Sequence, residues 1–122
     1  MTDATSIAQR YIEAWNETDP KRRRSLIDAL WTADASFRDP VMQGDGRAGI
    51  DAVIEGVQTR FPGFRFNLIG APDGFGDYVR LSWGLGPDGP DDAPLKGTDF
   101  VHVEAGQLKS VTGFFDQVPA QQ

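Results

Sequence analysis

The 122-residue sequence predicts an α+β domain: three N-terminal helices packed in the concave face of a strongly curved, mainly antiparallel sheet. Three observations lead there. Up to Phe61 the apolar residues recur at three- and four-residue spacing, which is the helical period. From Phe64 onward they alternate with polar residues, which is the strand period. The links between the later segments, APDGFGD, GPDGPDDAP and EAGQ, are rich in turn formers and too short for crossover helices, so they join antiparallel strands. The length is that of one domain, and residues 1–122 read as a single unit able to bury a core without staples.

Residues 6–17 form the first expected helix, with Ile7, Tyr11 and Trp15 on one stripe and Ala8 and Ile12 beside it. Asp19-Pro20 reads as an N-cap followed by proline at the first helical position. The second helix then carries Leu26, Ile27, Leu30 and Trp31. Its first turn holds Lys21-Arg22-Arg23-Arg24, which opposes the helix dipole and reads as a solvated face. Residues 34–39 suggest a brief strand, and GDGRAG at 44–49 a loop or helix start. The third helix aligns Ile50, Val53, Ile54, Val57 and Phe61 and stops at Pro62-Gly63. Four strands follow, over 64–68, 78–85, 95–103 and 107–116, with the acidic stretch 86–94 as a hairpin tip.

Composition removes several function classes. The absence of cysteine excludes disulfides, thiolate metal sites and cysteine nucleophiles. One histidine, His102, supplies neither a histidine-based metal site nor a nucleophile triad, so no metal is expected. GDGRAG matches the dinucleotide fingerprint literally, but Pro40 precedes it, Asp45 would face the pyrophosphate and the later strands are antiparallel. No cofactor is expected. A net charge of −6 argues against nucleic acid as a partner. The N-terminus lacks a basic start followed by an apolar run, and no stretch would span a membrane, so the expected location is cytoplasmic.

A curved sheet with helices in its hollow leaves a cavity, and apolar cavities with a few polar groups take small ligands. Three polar residues could serve one. Asp99 shares its strand face with Leu95, Val101 and Val103, so it points inward if that face is buried; otherwise it faces solvent or pairs with an arginine. Tyr11 lies on the apolar stripe of the first helix, either as a core tyrosine or as a hydroxyl donor aimed at a ligand. Asp39, in FRDPV at 37–41, is either a turn-forming cap or a carboxylate at the mouth of an apolar pocket. Together, two donors and one base fit proton transfer next to a carbonyl. Trp15, Phe37, Met42, Val57, Phe61, Phe66, Trp83, Val101 and Phe114 are the expected lining for a small hydrophobic ligand. Tyr78 has the parity that faces away from the cavity, and Phe100 and His102, on the outer face with nearby aromatics, suit a homodimer contact through the sheet.

The stretches QRYIEAWNETD (9–19), RDPV (38–41) and KGTDF (96–100) resemble those of bacterial ketosteroid isomerases, in the nuclear-transport-factor-2-like superfamily with its polyketide-cyclase-related SnoaL-like proteins. The order of elements is similar over nearly the whole chain. The resemblance implies a cone-shaped α+β barrel, with Asp39 as the general base and Tyr11 and a protonated Asp99 as donors to the enolate oxygen. The implied activity is that of a cofactor-independent isomerase or cyclase acting on a small hydrophobic carbonyl compound, with Trp15, Trp31 and Trp83 narrowing the cavity below steroid size. Two alternatives stand beside it: a binding protein without chemistry, and an epoxide hydrolase. The latter requires Arg65 or Arg80 to face inward beside Asp99, which strand parity opposes.

Overall fold

Helix α1 (Ala4–Asn16) begins where the Asp3 carboxylate accepts hydrogen bonds from the backbone N–H groups of Thr5 and Ser6. In the computed structural model, which describes residues 3–119, helix α2 (Pro20–Leu30) follows the expected Asp19-Pro20 start. The buried stripe of α1 is Ile7, Ala8, Tyr11, Ala14 and Trp15. Helix α3 (Gly46–Arg60) buries Ile50, Ile54 and Val57 against the same core.

Strands β1 (Trp31–Arg38), β2 (Gln43–Asp45), β3 (Arg65–Phe75), β4 (Tyr78–Gly86), β5 (Leu95–Glu104) and β6 (Gln107–Gln117) form one sheet in the order β2-β1-β6-β5-β4-β3. Every neighbouring pair is antiparallel except β1 and β6. The sheet is curved and not closed, so the three helices pack against an open cone. Asn16 protects the β3 edge: its side-chain amide donates to the Phe66 carbonyl (2.9 Å) and accepts from the Phe66 N–H (2.7 Å), as a neighbouring strand would.

Several expectations need correction. Trp31 is not helical; the chain turns extended there, and β1 starts three residues earlier than expected because Trp31 already pairs with Leu108 of β6. APDGFGD is not a turn. Strand β3 runs through it to Phe75, with Gly70 at φ 70° and a register shift between Ile69 and Asp73. An edge strand tolerates Pro72, and the actual turn is Gly76-Asp77. GDGRAG joins β2 to α3: a Cβ on Gly44 would lie 2.6 Å from the Gly49 carbonyl oxygen, so this glycine serves a close backbone approach.

The basic run also departs from a solvated face. Arg23 is only 2% exposed, and its guanidinium donates to Asp51 (2.6 Å) and to the Gln58 side-chain oxygen (2.9 Å). Gln58 in turn donates to the carbonyls of Trp15 and Glu17, closing the end of α1. None of the described helices is long and apolar enough to cross a membrane.

Candidate active site

Between the helices and the inner sheet face lies a cavity of about 690 Å3. Tyr11 reaches it from α1, Asp39 from just beyond β1, and Asp99 from the middle of β5. Asp99 is 4% exposed and Tyr11 1%, so water reaches neither freely. The Tyr11 hydroxyl donates to Asp99 Oδ2 at 2.6 Å, and the Trp83 indole N–H donates to Asp99 Oδ1 at 3.1 Å. Burial pushes the Asp99 pKa up to about 6, against the pull of the Tyr11 and Trp83 hydrogen bonds; the charges of Asp39 and Asp116 add a smaller upward push. Burial, followed by the charge of Asp99, raises Tyr11 well above the ordinary tyrosine value.

Asp39 has a divided role. Its Oδ1 accepts from the N–H groups of Val41 (2.9 Å) and Met42 (2.8 Å), and its own N–H donates to the Met42 carbonyl (3.0 Å). The turn-forming reading therefore describes one oxygen. Among the described residues, Oδ2 has no hydrogen-bond partner, and the half-buried side chain borders the cavity.

Gly113, opposite Asp99 in the β5–β6 register, makes this convergence possible. A Cβ there would lie 2.7 Å from Asp99 Oδ1 and 3.4 Å from the Asp39 Cβ. The glycine leaves the space in which both acidic side chains approach the cavity. Its signal in the sequence was a glycine interrupting an otherwise alternating strand.

Trp15, Phe37, Met42, Val57, Phe61, Phe66 and Trp83 line the cavity as expected. Two expected lining residues do not serve as proposed. Val101 is buried in the core and does not border the cavity, because β5 carries it beyond Asp99 toward the helix-packed interior. Phe114 borders the cavity through its position, but its side chain is 54% exposed and packs edge-on against Phe100 on the outer face. The inward aromatic is Phe115, which meets Trp83 edge-on at 6.4 Å; counting by twos from buried Val111 along β6 finds it. Trp31 is wholly buried and does not narrow the cavity. Leu85, Leu95 and Arg60 also border the cavity and were not anticipated.

On the outer face, Tyr78 stacks on His102 at 5.0 Å, in keeping with their parity. Arg80 pairs with Asp73 at 3.0 Å in solvent, and Arg65 is exposed, so neither reaches Asp99. The Asp–Arg–Asp arrangement of an epoxide hydrolase is thus absent among the described residues.

An open α+β cone, with helices over an apolar cavity and a buried acid on its inner strand, is an architecture of the NTF2-like fold. The chain belongs to the SnoaL-like domain family, whose sequence profile matches residues 8–111. It is similar to a protein from Agrobacterium tumefaciens, provisionally named an isomerase of the SnoaL-like family: 47% identity, 95% of this chain and 99% of that one covered, TM-score 0.89. A provisionally named ketosteroid isomerase from Kribbella flavida shares the fold at 20% identity, with 98% and 82% covered and TM-score 0.70. A provisionally named polyketide cyclase from Sinorhizobium meliloti does so at 13% identity, with 88% and 93% covered and TM-score 0.70. No curated protein matches the chain.

Proposed function

We propose that this SnoaL-like protein removes a proton next to the carbonyl of a small, mostly apolar compound and stabilises the resulting enolate, leading to isomerisation or aldol-type cyclisation. The observation that carries the reading is the meeting of Tyr11, Asp99 and Asp39 at one apolar cavity, with an unbonded oxygen on Asp39. Asp39 Oδ2 takes the proton from carbon, and the electron pair moves to the carbonyl oxygen. The Tyr11–Asp99 pair supplies the hydrogen bond that this oxygen needs as charge develops on it. In isomerisation Asp39 returns the proton at a second carbon. In cyclisation the enolate carbon attacks another carbonyl of the same molecule.

Exchange of the proton α to the carbonyl, followed in D2O by mass spectrometry over a panel of small apolar ketones, tests the reading before the natural substrate is known. The protein should accelerate exchange, and Asp39→Asn should slow it about 10²–10⁴-fold while leaving ligand affinity nearly unchanged. Exchange that is equally fast in the variant would sink the assignment of the base.

One observation favours the second reading, a binding protein without chemistry: Asp39 Oδ1 is committed to the backbone of its own turn. Ligands that bind and are recovered without exchange or rearrangement would support that reading. The exposed aromatics Tyr78, Phe100 and Phe114 further support self-association through the outer sheet face. Sedimentation of wild type and Phe100→Lys tests this, with dimers expected for the former only.

A further inference from the structure

We infer that Gly56 and Arg60 of α3 form an anion subsite at the cavity, which takes the carboxylate of an apolar acid. For the reaction proposed above, the substrate is then an oxo acid whose carboxylate end lies at Arg60. The subsite deepens that reading by naming the substrate class, and rests on it for the carbonyl end alone.

Among the described residues, the acids and bases that border the cavity are Asp39, Asp99 and Arg60. The two acids enter from the sheet side, Asp39 from just beyond β1 and Asp99 from β5, whereas Arg60 is the last residue of α3. A ligand anion is repelled near ionised acids and attracted by the guanidinium. Arg60 has not spent its charge on the protein: among the described residues it makes no ion pair. Asp51 and Glu55 of its own helix turn instead to Arg23, at 2.6 and 3.8 Å. The residues that share its helix face, four and three positions back, are Gly56 and Val57, and both border the cavity. The guanidinium carbon lies 5.8 Å from the ring centroid of Phe61, which borders the cavity too. The cation thus sits against an apolar wall, where no acid neutralises it.

An arginine in the last turn of a helix complements the helix dipole wherever it points, so Arg60 by itself makes no site. Gly56 is the second observation. Glycine inside a helix gives up more backbone freedom than any other residue, and a fold keeps it there for a positive φ or a close neighbour. Neither reason applies to Gly56. It is not one of the glycines with positive φ, and a Cβ on it would meet no atom within 4 Å. Gly44 and Gly113, by contrast, would bring a Cβ to 2.6 and 2.7 Å from their neighbours. No described side chain packs on Gly56, yet it borders the cavity one helical turn from Arg60. A ligand running from the cavity to the guanidinium fits over it. The planar guanidinium can take both oxygens of a carboxylate, and the apolar wall receives the chain behind them.

The test compares octanoate with octanamide, alike in length and apolar surface but not in charge, by calorimetric titration at neutral pH. Neither probe is a ketone, so the measurement does not depend on turnover. Octanoate should bind wild type about three- to tenfold more tightly, the scale of a bidentate carboxylate pair at a partly exposed site. Added salt should shrink the preference. Arg60→Gln should bring the two affinities together, and Arg60→Lys should recover part of the difference. Gly56→Leu should raise the thermal midpoint, because leucine suits a helix interior better than glycine, and yet weaken octanoate by about threefold or more. A merely structural glycine would not lose binding while the fold gains stability. Octanoate that does not bind, equal affinities in wild type, a preference that survives Arg60→Gln, or unweakened binding to Gly56→Leu would each overturn the subsite. Proton exchange α to the ketone of 7-oxooctanoate judges the proposed reaction separately. If that compound binds through Arg60 without exchange, the catalytic reading falls and the carboxylate subsite stands in a binding protein.

Discussion

Arg23 and Asp99 are both almost wholly withdrawn from water, yet their surroundings are opposite in kind. Arg23 meets a carboxylate, Asp51, and the amide oxygen of Gln58, so its charge is matched where it lies. Asp99 meets a phenol and an indole, with further acids nearby and, among the described residues, no cation paired with it. A buried charge with its opposite holds helices together. A buried charge with only neutral donors is left close to its own neutralisation, and a proton can come and go there. The contrast separates a structural site from a candidate chemical one without reference to any substrate.

Breaking the matched pair should produce the largest effect. Arg23→Met strands Asp51 and frees the Gln58 oxygen, and should destabilise the fold by roughly 3–5 kcal/mol, read from the denaturant midpoint. A loss below about 1 kcal/mol would remove Arg23 from the structural side of the comparison.

Asp99→Asn should act in the other direction. The amide oxygen can accept from Trp83 and the amide NH2 can donate to Tyr11, as the protonated acid would. The folded-state pKa of about 6 lies above the ordinary 3.8, so the unfolded chain loses its proton first and wild-type stability falls as pH rises between those values. The variant should match wild type near pH 4 and exceed it by up to about 3 kcal/mol at neutral pH. Parallel stability curves for the two proteins would show that Asp99 is not poised.

Gly113→Ala sharpens the geometry. Its methyl group would press on Asp99 Oδ1, costing about 1–3 kcal/mol by overpacking and loosening the Trp83 contact. Thermal unfolding and the Asp99 carboxyl titration should both shift; an unchanged titration would mean that the acid moves aside freely. The smallest effect is expected on the outer surface. The Asp34 carboxylate bonds Lys109 and Thr32, which hold its pKa below the ordinary value, but the pair lies in solvent. Asp34→Asn should leave the midpoint at neutral pH nearly unmoved, and whatever it removes should vanish as pH falls through that lowered value.

The element order, the Asp19-Pro20 helix start and the side of β5 that carries Asp99 were all legible in the chain. Each follows from neighbours within a few residues: a proline fixes one dihedral, and a strand turns every second side chain to the same face. Alternation alone did not choose between Phe114 and Phe115, because the inward face is set by Val111, whose burial depends on the helices. It could not show that β3 would absorb Pro72 in a bulge, since that depends on β3 lying at the edge of the sheet.

Partnerships across the chain were beyond such counting. Arg23 looked like one of four solvated basic residues until Asp51 and Gln58, 28 and 35 residues away, enclosed it. Resemblance singled out Tyr11, Asp39 and Asp99 together, but it did not indicate that Trp83 occupies one oxygen of Asp99 and Tyr11, 88 residues off, the other. Periodicity and capping are properties of the local backbone and survive in any fold that keeps the element. Protonation and hydrogen-bond direction belong to groups that meet only once the helices close over the sheet, because there the loss of water makes each remaining donor count.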